Sequence, residues 1–382
     1  MSEPATEPRF VSVTEVGVLS QVEGVDAVGI GELRELVEAS LASATQRAYA
    51  ADWERFAVWC DGQGVDAVWA SDEDLGRYVA LAASEVREDG SWAVAVATLR
   101  RWVSGINQVH RAVGRELAPG RSEVVRRALA GVARTRREAP RRRKPLRLMA
   151  LKKLVVTARG TAVTWQQKIR AERDCAILLV GHLGAFRESE LVQLRLGDFE
   201  QVDGGLHVYV AGSKTDQLGT GRSKGLTRVA AAQGCALCAW WRWWSLVRAH
   251  DAGGRPAVLN AVEALPAADE HVCRQQVLVG EPGMPFLRVL GQAGWVTERG
   301  LSPHAVYHVV RRRAKLAGYT DQEISRLGGH SLRSGFITDA FDAGASDGEV
   351  MKQTWHRSIT QVRDYQRGTP LAGNAVNRIE LP

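Results

Sequence analysis

The sequence predicts a mainly α-helical protein with a small antiparallel β-sheet, divided into two domains. Three observations carry that prediction. Apolar residues recur at three- and four-residue steps through most of the chain from residue 43 onward. A run of basic residues and prolines at 134–147 interrupts this pattern once. One alternating stretch at 206–212, followed by a polar, glycine-rich turn, supplies the sheet. A length of 382 residues is enough for each domain to bury its own core.

Residues 1–38 hold eight acids and two bases and read as an acidic, poorly ordered leader, in which the alternation at 10–18 allows one strand. The first domain is expected at 39–133. Tyr49, Trp53, Phe56, Trp59 and Cys60 share one helical face, and Gly62 ends that helix. Ser71 with the acids at 72–74 signals the N-terminus of a second helix carrying Leu75, Tyr78, Val79 and Leu81. A third helix is predicted at 95–113 and a fourth at 122–136, which together make a compact bundle. The segment 134–147 has eight bases, one acid and two prolines, so it reads as an extended basic linker.

The second domain is expected at 148–382. Helical periodicity covers 151–158 and 168–183. Gly184 ends the second of these helices, and Arg187 opens the next with Glu190 three residues on as an ion-pair partner. The strand at 206–212 gives way to a turn at 213–225 and a returning strand from 226. Lys214 stands where the first strand meets the turn, and Lys224 is a second lysine of the same turn. The aromatic helix at 238–247 is expected to pack Trp240, Trp241, Trp243 and Trp244 in the core or over a neighbouring lobe, not against bases. Residues 251–300 read as loop-rich. Ser302–Pro303 starts a helix that carries Arg311, Arg312 and Arg313 and ends near Gly318.

The net charge is +7, and subtracting the leader leaves 48 basic against 35 acidic residues. A basic body behind an acidic leader points to a polyanionic partner, with nucleic acid the commonest. Candidate phosphate contacts are Arg100, Arg101, Arg126 and Arg127 on the bundle, Arg141, Arg142, Arg143 and Lys144 in the linker, and Arg311 and Arg312 beyond it. The odd count of five cysteines forms no disulfide framework and suits a reducing cytoplasm. Cys235 and Cys238, with His250, His271 and Cys273 downstream, offer zinc-ligand chemistry, but their spacings fit no regular finger. The expectation is therefore no metal and no cofactor. Neither a secretory signal nor an apolar run of membrane-span length is present, so no membrane partner is expected.

The densest chemistry lies between Gly328 and Tyr365. His330 and Arg333 are three apart and share a helical face, and that helix ends at Gly344. Ser346 and Glu349 form a capping box for the next helix. His356 and Tyr365 are nine apart, on opposite faces of any single helix, so Ser358 is read as the cap of a new short helix. That break lets both side chains turn toward one point. Two histidines, an arginine and a tyrosine without a carboxylate suit chemistry on an anion such as a phosphodiester. A tyrosine with an ordinary pKa of about 10 needs a base or cations beside it to act as a nucleophile. No P-loop and no acidic metal cluster accompanies these residues.

In order and setting, GAFRESELVQL, GSKTDQ, GGHSLRSGF and WHRSITQVRDY resemble the tyrosine recombinase (phage integrase) family over roughly residues 40–376. The resemblance implies a helical core-binding domain followed by an integrase-like catalytic domain. It also implies metal- and ATP-independent strand exchange at specific sites in double-stranded DNA, through a 3′-phosphotyrosyl intermediate. On this resemblance Tyr365 is the nucleophile, and Arg187 and Arg333 clamp the phosphate. Lys214 protonates the leaving 5′-oxygen, His330 assists the tyrosine's proton, and His356 bonds the phosphate. The family further implies a homotetramer on two DNA sites, held through the C-terminal tail by Leu371, Ala375, Val376 and Ile379, with an accessory directionality factor in some members. A cytoplasmic, nucleoid-associated bacterial protein is the matching expectation. A type IB topoisomerase-like relaxing enzyme and a decayed DNA-binding protein are the alternatives. Trp355 departs from the glycine usual before the second histidine.

Overall fold

The computed structural model describes residues 43–115, 118–136, 143–211, 221–275 and 280–366. The chain forms two compact units, Met1–Pro140 and Arg141–Pro382. The leader with its strand at 10–18, Arg141, Arg142, Lys214 and the C-terminal tail lie outside the described residues.

The first unit contains α1 (Ser43–Gly62), α2 (Asp72–Ser84), α3 (Val96–Ala112) and α4 (Glu123–Arg136). Ser71 caps α2 through a reciprocal box with Asp74, as its sequence predicts. Phe56, Leu75, Leu99 and Ile106 are fully buried where the four apolar faces meet. The fourth helix ends where expected, so the first three residues of the expected linker are helical. α4 continues to Arg136, whose guanidinium donates to the Val94 carbonyl and lies 4.3 Å from the centre of the Trp92 ring. Arginine is a good helix former, and these partners keep the last turn helical.

The second unit begins with the far end of that basic segment. The Lys144 N–H donates to the Arg326 carbonyl and the Leu146 N–H to the Ser331 carbonyl, and Leu146 enters the core. A segment read as wholly extended linker therefore contributes a buried side chain. Gly335 makes room for it, since a Cβ there would fall 2.0 Å from the Leu146 carbonyl oxygen. Next come α5 (Leu148–Gly160), α6 (Trp165–Leu183) and α7 (Glu188–Gln193). α6 is buried on nearly every side, which makes it the axis of the unit. Its Asp174 is completely enclosed and ion-paired with Arg173, Arg312 and Arg313.

Three strands, β1 (Phe199–Val202), β2 (Gly205–Val210) and β3 (Arg222–Thr227), form an antiparallel meander. The predicted turn is too long, because β3 starts at Arg222 and pairs Lys224 with Val208. Period-2 alternation places Lys224 and Leu226 on the buried face and leaves Ser223 and Gly225 exposed. α8 (Ala236–Glu263) carries Trp240, Trp243 and Trp244 into the core as expected.

The stretch 251–300 is loop-rich as expected across the described residues of 264–287, but it also contains regular elements. Non-helical backbone at Gly253 and Gly254 breaks α8, and a second helical segment then runs through Pro256 to Glu263. Proline is tolerated so near a helical start. β4 (Arg288–Leu290) and β5 (Val296–Gly300) follow as a short hairpin. The cysteines and histidines scattered along this part of the sequence gather in part. Cys235, Cys238, His271 and Cys273 bring their ligand atoms within 4.8 Å of one another, and His250 stays outside that group. The unit closes with α9 (Pro303–Leu316), α10 (Asp321–Ser325), α11 (His330–Asp342), α12 (Asp347–Thr354) and α13 (Ile359–Gln366). No helix among the described residues is long and apolar enough to cross a membrane.

Candidate active site

Four elements of the second unit converge on one point. α6 ends at Gly184, and Ala185 then adopts a left-handed backbone with φ of 47°. This conformation costs an alanine roughly 1–2 kcal/mol, so the turn is held by its surroundings. The Ala185 carbonyl accepts hydrogen bonds from Arg333 Nη1 at 2.6 Å and from Lys224 Nζ at 3.4 Å. One strained carbonyl thus gathers the start of α7, strand β3 and helix α11. Arg187 is the N-cap residue of α7, and its guanidinium pairs with the buried carboxylate of Glu190. The same carboxylate accepts the Arg187 backbone N–H at 3.0 Å.

Arg333 is almost fully buried on α11. It donates to the Thr354 carbonyl and, at 3.3 Å, to His356 Nε2. Burial and the neighbouring Arg187 push its pKa down to about 10, so it stays cationic at neutral pH. The His356 tautomer follows from its other partner. The Thr354 hydroxyl gives its proton to the Val350 carbonyl, so it can only accept from His356 Nδ1–H at 2.8 Å. Nε2 then carries the lone pair facing Arg333. Burial and then Arg333 and Arg187 push the His356 pKa down to about 4, which keeps the ring neutral.

His330 Nε2 lies 2.8 Å from the Tyr365 hydroxyl. Desolvation, then Arg333 and Arg187, hold the His330 pKa below its ordinary value. A neutral ring is the form that can accept the tyrosine's proton. The two histidines flank Tyr365, each with its ring centre 6.0 Å from the tyrosine's. Glu188 supports this end from beneath. Its carboxylate accepts the His330 backbone N–H at the start of α11. Gly329 permits the contact, because a Cβ there would sit 2.2 Å from Glu188 Oε1. Nothing in the sequence singled out Glu188; a carboxylate beside Arg187 reads equally well as a surface charge.

Trp355 ends α12 in the left-handed conformation, with φ of 56°. This accounts for the family's usual glycine there, and the chain keeps the backbone while adding a ring. The indole is buried against Lys224, with Nζ 4.3 Å from its centre. Trp355→Gly is expected to lower stability by about 2 kcal/mol in urea denaturation, because the lost aromatic burial outweighs the relieved backbone. An increase in stability would show that the ring contributes less than the strain it imposes.

Lys224 is as fully buried as Arg333. Its Nζ donates to the Gln353 carbonyl at 2.6 Å and to Ala185, and the rings of Phe186 and Trp355 cover it. Burial first, with Arg333 and Arg187 adding repulsion, pushes its pKa down to about 7.

Residues 161–370, more than half of the chain, match the model of the phage integrase family. The chain belongs to the phage integrase family. It is therefore a tyrosine-type site-specific recombinase. A relative in Selenomonas ruminantium, described as an integrase/recombinase XerD homolog, is 27% identical over 363 residues and spans 94% of this chain and 92% of that protein. The structure of the XerH site-specific recombinase with palindromic difH substrate, a post-cleavage complex, aligns over 96% of this chain and 93% of that one, with a TM-score of 0.52 and 14% identity. The XerH pre-cleavage complex with difH substrate gives the same TM-score of 0.52 over 94% and 92% of the two chains. These likenesses are of fold.

Within this integrase-family chain, Arg187, His330, Arg333, His356 and Tyr365 come together. The further basic candidates divide by partner. Arg101 pairs with the buried Asp52, and Arg312 with the buried Asp174. Arg126 and Arg127 both pair with Glu123 on their own helix face. Arg143 donates to the Ser325 carbonyl and lies over the Tyr307 ring, which Arg311 also approaches. Arg100 and Lys144 are exposed. His182 and His304 sit against Asp339 and Tyr307 respectively.

Proposed function

We propose that Tyr365 is the nucleophile that this recombinase uses on a DNA phosphodiester. The observation that carries this reading is the 2.8 Å contact between Tyr365 and His330 beside two arginines. The phenolic oxygen attacks phosphorus as its proton passes to His330 Nε2. The bond from phosphorus to the 5′-oxygen breaks, leaving a 3′-phosphotyrosyl link. Arg187 and Arg333 hold the two non-bridging oxygens and stabilise the charge that builds in the transition state. His356 Nε2 accepts from Arg333 and so helps to orient that guanidinium toward the phosphate. Attack by a 5′-hydroxyl from a second strand reverses the sequence and completes the exchange.

Lys214, in the run that follows β2 in the sequence, supplies the proton to the leaving 5′-oxygen. Lys224 is the alternative lysine. Its enclosure by two carbonyls and two rings favours a positioning role, holding β3 to the Ala185 turn and to the end of α12. The substrate is double-stranded DNA. A basic residue such as Arg100 on the first domain, and the basic segment around Arg143 and Lys144, neutralise its backbone. Residues 1–38 form a leader, 39–133 the core-binding domain and 148–382 the catalytic domain, with the basic segment joining the last two. The enzyme acts as a homotetramer on two sites through its C-terminal tail, in a bacterial cytoplasm, with a directionality factor selecting the outcome.

Tyr365→Phe tests the assignment. Strand exchange between two copies of the target site is expected to fall below detection, while affinity for one site stays within about threefold of wild type, since one hydroxyl is lost from a large interface. Recombination by the phenylalanine variant would refute the role of Tyr365.

A further inference from the structure

The two pairs Cys235/Cys238 and His271/Cys273 lie far apart in the chain and come together at the start of α8. Cys235 follows the short turn Ala232–Gly234 and is the N-cap residue of α8, and Cys238 lies in its first turn. The side chains of residues three apart on a helix share a face. The chain returns 33 residues after Cys238, and the buried Val272 anchors it in the core between His271 and Cys273. All three cysteines are free thiols among the described residues, and all are buried.

The imidazole orientation distinguishes this group from a chance meeting of thiols. His271 Nε2 lies 2.9 Å from the Ala230 carbonyl, an acceptor only, so this nitrogen carries the proton. Nδ1 is left with its lone pair, which points at Cys238 Sγ 3.3 Å away and Cys273 Sγ 3.6 Å away. One lone pair can accept one thiol proton, so hydrogen bonding leaves two sulfurs competing for it. A metal satisfies all of them. A histidine ligand fixed by a backbone carbonyl on its far nitrogen is the usual outer arrangement of a metal site.

We propose that Cys235, Cys238, His271 and Cys273 bind one Zn²⁺ as a closed, tetrahedral, structural site. Zinc bonds of about 2.3 Å to sulfur and about 2.0 Å to nitrogen place tetrahedral sulfur–nitrogen edges at about 3.5 Å. The two observed distances bracket that value. Three thiolates and a neutral imidazole suit Zn²⁺ better than Mg²⁺ or Ca²⁺, which take oxygen. Binding releases three thiol protons and leaves the complex with one negative charge. Arg228 interacts electrostatically with Cys273, and Arg242 with Cys238, so cations are in place to balance it.

The site joins three parts of the second unit. Ala230 lies just beyond the end of β3, Cys235 and Cys238 belong to the start of α8, and Gln201 of β1 donates to the carbonyls of Cys273 and Gln275. The metal therefore clamps the three-stranded sheet to the long helix. It takes no part in strand transfer.

The test is metal analysis of the full-length, untagged chain purified without chelator. About one zinc per chain is expected by mass spectrometry of the metals. Cys238→Ser with Cys273→Ser removes it, and His250→Ala retains it, because His250 lies outside the group. A readout that does not depend on the variants is Co²⁺ exchange into the wild-type protein, where strong d–d bands and a sulfur-to-cobalt charge-transfer band report tetrahedral thiolate ligation. Wild-type protein with less than about a tenth of one zinc and a weak, octahedral-type cobalt spectrum would overturn the proposal. A Cys235–Cys238 disulfide in the metal-free protein would overturn it too, in favour of a redox pair.

Discussion

Lys214→Ala is expected to slow strand cleavage by about 10²- to 10⁴-fold, the usual contribution of a positioned general acid. A substrate whose scissile 5′-oxygen is replaced by sulfur is expected to restore most of that loss, because a thiolate leaves without a proton. Lys224 supplies the contrast. It is buried beneath the Ala185 turn with its ammonium held by two carbonyls, so Lys224→Met should also reduce activity, but through misplacement of Arg187 and Arg333. The sulfur substrate is then expected to give no rescue. The pH profile separates the two lysines again. With a pKa of about 7, Lys224 becomes a third cation beside the arginines as pH falls through neutrality. Phosphate affinity should therefore strengthen on the acid side of about pH 7, and Lys224→Met should flatten that dependence. Rescue of the Lys224 variant by the sulfur substrate, and none for Lys214→Ala, would reverse the assignment.

Asp174→Asn is expected to destabilise the second unit by about 3–5 kcal/mol, the cost of leaving buried charges without their partner. Burial alone would raise the pKa of this carboxyl, but Arg173, Arg313 and Arg312 outweigh burial and hold it below the usual range. The sign of the pH dependence follows. A carboxyl whose folded pKa is depressed contributes its full stability above its unfolded pKa of about 3.9 and loses it as pH falls through the lower folded value. The gap between wild type and variant should be widest at neutral pH and narrow in acid. Urea denaturation at pH 7 and pH 3 measures both. A gap under about 1 kcal/mol at pH 7 would show that the three arginines find other partners.

These two residues mark the border of what the sequence makes legible. Local signals translate directly into structure. The boxes at Ser71–Asp74 and Ser346–Glu349 start helices where their spacing says. The break at Ser358 frees Tyr365 to meet His330, because nine residues on one helix would have set Tyr365 and His356 on opposite faces. Features decided by distant packing are not legible in this way. Lys224 sits in a polar, glycine-rich run that reads as turn, and only pairing with Val208 draws it into a strand and under Trp355. Leu146 is hidden among prolines and bases, and its burial depends on Gly335, almost two hundred residues later. Asp174 lies in an otherwise unremarkable helical stretch, with two of its three arginines supplied by α9. The left-handed backbone at Ala185 and Trp355 escapes propensity because neither residue favours it. His271 and Cys273 join Cys235 and Cys238 only because α8 and the connection after it fold back on themselves.

The central claim is that Tyr365 forms the covalent link, and trapping that link tests it most directly. A duplex nicked just beyond the scissile phosphate loses the short fragment that carries the 5′-hydroxyl, so the reverse attack has no nucleophile. Wild-type protein incubated with nicked fragments spanning the target site, then denatured, digested with protease and analysed by mass spectrometry, should yield one peptide carrying a nucleotide 3′-phosphate on Tyr365. Tyr365→Phe should yield none. A nucleotide on any other residue, or an adduct that persists in the phenylalanine variant, would contradict the account.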